Sequence, residues 1–477
     1  MNANTQPAGF PLEILHKIIT YLPRKDKWTA LFVSRIFYQT TAPSVFAALH
    51  LEIGRWGRSD HFKTDADCVE ENADRNWSIF MHIIRNRTFA SFVRSLYIVA
   101  SSLERYAIVD RNMLTEMVRS LPNLRLVHWY GENPLPSMEF LDALLESCPH
   151  LREVSLPWPI DPEQCLNRFT HLEVIRLSAD DDEDNYDLMN PNSDFDGYLS
   201  SDGKRLRELS IPASLIWNTP DHVLRDLTEL TLTPPCSLDN LDILFQQGAR
   251  LESLCVLQSY HNKPLPIKRT MKTNLSALPS LTSFKVLFGK LDPDDIPILA
   301  NFLRCKKNLR RLDISLVDLD WKFMQPLLDV ISTSRSLEVL GLDIIQGSPF
   351  TFHDHSVLQR SLPRDLVALR LYTYFKKVDI DADTWFELWT QRPKITYTHW
   401  KGDWPPSFVR KLLFETQSMK MVVESFIITE IDRTTDDITP LPLWSRKKVK
   451  FRIKEDFQCA DWEWLARHHD LFTMGDW

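Results

Sequence analysis

Glycine is scarce, with 12 in 477 residues, about a third of ordinary usage. A loop that cradles phosphate needs glycine where its backbone closes on the ligand, and neither G-x-x-x-x-G-K-[ST] nor G-x-G-x-x-G occurs. An excess of basic charge is lacking too. The formal charge is -8 with a sequence pI near 6.0, which argues against a broad nucleic-acid-reading face, so no nucleic-acid partner is expected. The seven cysteines (Cys68, Cys148, Cys165, Cys236, Cys255, Cys305, Cys459) are odd in number and never at C-x-x-C spacing. Reduced thiols of a cytoplasmic and/or nuclear protein are expected from that pattern. No run of 18 apolar residues occurs, and Met1 to Gly9 has neither a basic nor an apolar region, so no membrane span or signal peptide is expected. G-x-S-x-G and H-E-x-x-H are missing. His353-Asp354-His355 and Cys459 with His468-His469 lack a second cluster to complete a metal set, and read as polar loops. Neither catalytic residues, a cofactor nor a metal is expected, and an enzyme is disfavoured.

Apolar residues, by contrast, make up 44% of the chain, and there are 15 tryptophans, enough to bury a large core. The length exceeds what one compact core serves, which predicts several domains or an elongated repeat array. Pro11 and Glu13 suit the start of a helix whose Leu12, Leu15, Ile19 and Leu22 form one apolar stripe and Ile14, Ile18 and Tyr21 a second. Asp26 suits the cap of a second helix with Trp28, Leu31, Phe32 and Val33, and Pro43 the start of a third with Val45, Phe46 and Leu49. Three short helices offer too little core to cover all these faces. Either the rest of the chain covers them or a partner does.

The order Phe10-Pro11-x-Glu13-Ile14-Leu15-x-x-Ile18-x-x-Tyr21-Leu22-Pro23, then Leu31-x-Val33-Ser34-Arg35-x-Phe37-Tyr38, then Pro43-x-Val45-Phe46 resembles an F-box, here assigned to 8–50. The resemblance implies a trihelical domain that docks on a Skp-type adaptor and through it on a cullin and a RING subunit. It also implies that Pro11, Leu12, Ile14, Leu15, Ile18 and Leu22 make adaptor contacts, with Val33, Ser34 and Phe37 near the seam.

Beyond a helical linker at 51–90, the pattern L-x-x-L-x-L recurs eleven times, from Val93/Leu96/Ile98 to Leu366/Leu369/Leu371, at about 27 residues per copy. Apolar residues two apart suit one face of a short strand, and the first position anchors the preceding turn. Helix-like stretches such as Asn112 to Leu121 and Ile296 to Leu303 lie between, and Pro122, Pro149 and Pro279 each stand two residues before a signature leucine. The expected fold is α/β: the trihelical domain, then a leucine-rich-repeat solenoid over 91–374, a horseshoe of parallel strands with outer helices, and degenerate repeats with an irregular cap over 375–477. The copies resemble the irregular repeats of fungal or plant F-box proteins more than a consensus array. Cys148 and Cys305 read as small buried fillers.

Residues alternating with the strand leucines nominate a partner face: His128, Tyr130, Arg176, Lys285, Arg311, Asp313, Asp343, Arg370 and Tyr372. Arginine and aromatics on a rigid sheet are common binding anchors, although many such side chains are simply solvated. The segment 179–196 carries eight carboxylates and no Lys or Arg, which suits a solvated loop, a contact to a basic substrate or, less well, a cation site. Six tryptophans lie past residue 399, as a cap over the open end of an array or as an aromatic pocket. The basic stretch from Arg446 to Lys454 alternates in part with Val449, Phe451 and Ile453, like the wet face of an edge strand, with nuclear localisation as the other reading. Together these features suggest a non-catalytic subunit holding a protein substrate for a Skp/cullin/F-box ubiquitin ligase. A non-ligase scaffold using the same two modules is the alternative.

Overall fold

The computed structural model describes residues 11–22, 24–54, 65–101, 107–158, 169, 171–179, 206–217, 219–233, 241–257, 267–288, 292–316, 320–346, 350–375, 380–401, 406–424, 427–433, 439–445, 448–449, 452, 454–457 and 459–469. The acidic segment, beyond Ala179, lies outside them, as do most residues of the basic stretch. Lys448 and Val449 are helical rather than extended. The chain divides into two compact units, Met1–Asp180 and Asp181–Trp477.

The first unit opens with three helices, α1 (Leu12–Tyr21), α2 (Arg24–Ala30) and α3 (Arg35–Val45). α1 stops at Leu22, whose φ of -67° and ψ of 140° are extended, as the proline after it demands. α3 starts earlier than the sequence suggested. Ser34, not Pro43, sets its beginning, with the Ser34 hydroxyl accepting a hydrogen bond from the Phe37 amide at 3.3 Å. Leu15, Ile19, Ala30, Leu31 and Ala42 are the buried apolar residues described in this small domain, and Thr41 is buried beside them.

Two residues after α3 the chain enters β1 (Ala48–Gly54), which pairs in parallel with β2 (Ser95–Ser101). The sequence reading of 51–90 as a helical linker is therefore corrected: a strand and α4 (Asp65–Arg85) already form the first repeat. The ring of Trp28 meets Phe46 at 5.5 Å and Phe46 meets Phe89 at 4.9 Å, tying the three helices to that repeat by packing. β3 (Leu126–Asn133), β4 (Glu153–Trp158) and β5 (Val174–Ala179) continue the parallel sheet.

The second unit repeats the scheme with β6 (Glu208–Pro212), β7 (Glu229–Thr233), β8 (Ser253–Leu257), β9 (Ser283–Phe288), β10 (Arg311–Leu316), β11 (Val339–Gln346), β12 (Ala368–Phe375), β13 (Tyr397–Lys401) and β14 (Met421–Glu424), all parallel. β15 (Ile427–Asp432) and β16 (Thr439–Pro440) then pair antiparallel. Every signature position of the eleven copies, from Val93, Leu96 and Ile98 to Leu366, Leu369 and Leu371, is buried.

Hydrogen bonding shows why the unit repeats. The carbonyl before one strand accepts two successive amides from the next repeat: Ala47 from Arg94 and Ser95, Arg94 from Arg125 and Leu126, and Thr282 from Arg310 and Arg311. A carbonyl oxygen has two lone pairs, and this geometry uses both. Helix ends leave carbonyls without partners, and in several repeats a long basic side chain donates to carbonyls at or just beyond the end of a helix. Lys306 Nζ donates to Leu275 O at 3.0 Å and Arg433 Nε to Met419 O at 2.7 Å. Cys148 is the buried filler expected of it, whereas Cys305 is exposed.

Arg392 is the strongest of these clamps. Only 1% exposed, it donates to the carbonyls of Leu388 at 2.7 Å, Leu362 at 2.8 Å and Pro363 at 3.1 Å, and also to Gln359. Arg392→Leu leaves these acceptors without their donor inside the protein, at roughly 1–3 kcal/mol for a buried unmet group. A fall of about 3 kcal/mol in urea-unfolding stability is expected, and a loss below about 1 kcal/mol would contradict the clamp.

Candidate protein-interaction site

Among the described residues, two surfaces carry defined chemistry. The first is on α1–α3. Among the described residues, nine of the nineteen exposed large apolar side chains fall between Leu12 and Tyr38, with Phe32 at 84%, Tyr21 at 79%, Val33 at 61% and Leu12 at 59%. Ile14, Ile18, Trp28, Ile36 and Tyr38 complete the set. Large apolar side chains left open at this density over three short helices mark an interaction surface. Among the described residues, nothing covers these nine side chains.

The second surface is the strand face between the buried leucines. In the first unit one register row runs His50, Tyr97, His128, Ser155 and Arg176. The His50 ring stacks on Tyr97 at 4.7 Å, and Tyr97 meets the edge of His128 at 5.3 Å. His128 Nε2 lies 2.8 Å from Glu153 Oε1 and 3.0 Å from Arg176 Nη1, and Arg176 also pairs with Glu153. Burial would raise the Glu153 pKa, but His128 and Arg176 outweigh it and pull the carboxyl down to about 2. His128, Tyr130 and Arg176 are half-buried. This row is a mixed aromatic and charged strip, and the Glu153 carboxylate beside it is already paired.

In the second unit the corresponding row, Lys285, Asp313, Gly341, Arg370 and His399, is closed. Lys285 is 1% exposed, and Asp313 and Arg370 are 0% exposed. Asp313 Oδ1 accepts from Arg370 Nε at 3.1 Å and Nη2 at 2.8 Å, while Oδ2 meets Lys285 Nζ at 3.0 Å and His469 Nε2 at 2.7 Å. Arg370 also pairs with Asp343, and the Tyr372 hydroxyl lies 2.8 Å from His399 Nε2. What covers these groups is the segment Cys459–His469, whose helix Ala460–Ala466 packs against β11 and β12. Val339, Ala368, Tyr397 and Met421 of the strand face join Trp444, Phe457, Trp462, Trp464 and Leu465 in one apolar cluster.

The F-box domain family matches residues 8–42. The first three helices are an F-box domain. Among solved structures the chain is similar to the Rad7 and Elc1 complex of yeast, at 15% identity over 81% of this chain and 90% of that one, TM-score 0.42. It is similar also to the TLR13–ssRNA13 complex, at 14% identity and TM-score 0.30, covering 71% of this chain but 55% of that one. No curated protein matches the chain.

Within the F-box, Pro11, Leu12, Ile14, Ile18, Val33 and Ser34 are exposed, and Leu22 and Phe37 are half-buried. Leu15 is not an outward contact. At 7% exposure it belongs to the domain's own core, because it shares with Ile19 the face of α1 that meets α3. Tyr21, Phe32 and Ile36 are open but were not singled out as contacts. For Tyr21 and Phe32 the signal is apolar character on helix faces too large for the domain's own core.

On the repeats, the expectation that Lys285, Asp313, Asp343, Arg370 and Tyr372 line an open face is corrected: all five are buried. Arg311 is half-buried and bound to Asp461, its Nε 2.8 Å from Oδ1. His50, Tyr97 and Glu153 were missed, although they alternate with strand residues as His128 does. His353-Asp354-His355 is not a loop but the first turn of the helix Phe352–Ser361, where Asp354 completes a capping box with Thr351. Among the described residues no cluster could hold a metal ion, and no helix is long and apolar enough to cross a membrane.

Proposed function

We propose that this chain is the substrate-recognition subunit of a Skp/cullin/F-box ubiquitin ligase. F-box domains bind Skp-type adaptors, and the observation that supports adaptor binding here is the uncovered apolar surface from Leu12 to Tyr38. In this reading the adaptor brings the cullin and RING subunit, and the repeats hold a protein substrate. The chain performs no chemistry itself. Its contribution is effective concentration and orientation, which suits an F-box joined to the first strand by two residues and an aromatic seam rather than a flexible linker. Work in the cytoplasm or nucleus fits the free thiols of Cys148 and Cys255.

The test uses the full chain and a purified Skp-type adaptor. Ile14→Glu with Phe32→Ala removes two open apolar anchors, each worth about 2 kcal/mol if it sits in the centre of the contact. At least about a hundredfold loss of adaptor affinity is expected, with the melting temperature unchanged because neither side chain is in the core. Unaltered affinity would sink the docking assignment. Adaptor-bound chain that recruits neither cullin nor a ubiquitylated client would leave the scaffold reading in its place.

A further inference from the structure

The segment over the second unit's strand face is held by contacts that read particular chemistry. Arg310 Nη1 and Arg311 Nε grip Asp461 Oδ1 at 2.9 and 2.8 Å. Tyr397 stacks on Trp462 with ring centroids 5.8 Å apart, and Lys285 Nζ sits 4.8 Å from the Trp464 ring centre. The same ammonium takes the carbonyls of Trp464 at 2.6 Å, Leu465 at 3.2 Å and Arg467 at 2.7 Å, the carbonyls gathered where the helix ends. A fork for a carboxylate, a slot for one indole, a cation under the next and a cap for the last turn make a complete reader of one short helix.

We propose that this face is a binding site for a short acidic-aromatic helix, occupied in cis by Cys459–His469 and available to a partner helix of the same chemistry that displaces it. The partner carries a carboxylate in its first turn, aromatic side chains one and three residues later and a free last turn. Charge complementarity selects the acidic residue, because Arg310 and Arg311 face it together. The composition beneath the segment supports exchange. A permanently closed core is more stable when filled with apolar side chains, since buried ion pairs must overcome their desolvation, yet Lys285, Asp313, Asp343 and Arg370 lie there. These groups regain hydration when the segment lifts, which offsets part of the cost of exposing Trp462 and Trp464. The proposal rests on the repeats holding a protein partner, but it is tested by peptide binding alone, so its failure is separate from failure of adaptor docking.

The probe is a fluorescein-labelled peptide of residues 459–469, titrated into the full chain and followed by anisotropy. The tethered copy competes at roughly millimolar effective concentration, so the unaltered chain binds weakly. Trp462→Ala with Trp464→Ala in the chain releases the competitor, and at least about tenfold tighter binding is expected. That gain is abolished by Asp461→Lys in the peptide. A released chain that still unfolds cooperatively but binds no peptide overturns the proposal. Hydrogen exchange on the unaltered chain decides if that variant fails to fold. Amides of 462–467 are expected to exchange at least about a hundredfold faster than those of β10 to β12, and equal protection would make the face a permanent core.

Discussion

Asp313→Ala is expected to cost the second unit about 3–5 kcal/mol, the loss typical of stripping one partner from a buried ion pair. Asp313 is fully buried and meets three cationic or potentially cationic groups, Arg370, Lys285 and His469. Removing it leaves Arg370 with the Asp343 carboxylate and the Tyr372 ring, and leaves Lys285, 1% exposed, with backbone carbonyls but no counter-charge from Asp313. Lysine can escape by releasing its proton, and burial already lowers the Lys285 pKa. Arginine cannot. Urea unfolding followed by tryptophan fluorescence reads the effect, because ten of the fifteen tryptophans lie beyond residue 180. A loss under about 1 kcal/mol would show that water reaches the site.

The pH dependence follows with a definite sign. Burial pushes the Asp313 carboxyl up, but Arg370, His469 and Lys285 outweigh it and hold it well below the usual carboxylate range. Its folded pKa is depressed, so its stabilisation is present above the unfolded value near 4 and is lost as pH falls toward the folded one. Asp343 has the opposite sign, because burial prevails over its partners and raises its pKa. Asp313→Asn is therefore expected to flatten the loss of stability below about pH 4, and an unchanged acid limb would contradict the ion cluster.

The repeats were legible because burial follows a strict local period. Leucine at three fixed offsets fills the space between strand and helix, so one copy after another reports the same environment. The reading faded at β13 for a visible reason. Thr398 stands in a leucine slot, buried, where its hydroxyl accepts a hydrogen bond from Trp389 Nε1 at 3.2 Å, so a polar residue does an apolar residue's packing. β1 was missed because Leu49, Leu51 and Ile53 alternate without the anchoring turn leucine that begins other copies. The covered face was a different kind of miss. Contacts such as Lys285 to Trp464 join residues 179 apart, and periodicity carries no information about such pairs. Polar residues alternating with leucine were read as open to water. Opposite charges one repeat apart, Lys285 beside Asp313, were the sign that they could satisfy one another instead. The tryptophan excess was the other sign, since Trp462 and Trp464 pack on the strand face rather than only over the end of the array.

Gly341→Ala tests that pairing with a single methyl group. Gly341 lies between Asp313 and Arg370 in the strand register, and the arginine crosses it to reach the carboxylate. A Cβ at this position would run into Asp313 Oδ1 and sit 3.0 Å from Arg370 Nε, so something must move. Overpacking costs about 1–3 kcal/mol by itself, and parting a buried pair adds to it, so a loss of about 3 kcal/mol or more is expected. If the clash is with this ion pair, the loss depends on Asp313. In the Asp313→Ala background the obstructing carboxylate is gone, and Gly341→Ala is expected to cost less than about 1 kcal/mol, giving a coupling of the size seen for residues in direct contact. Additive losses would place the strain in the β11 backbone instead. The scarcity of glycine in this chain gives the position its meaning, because here glycine provides the space in which a buried arginine spans two strands.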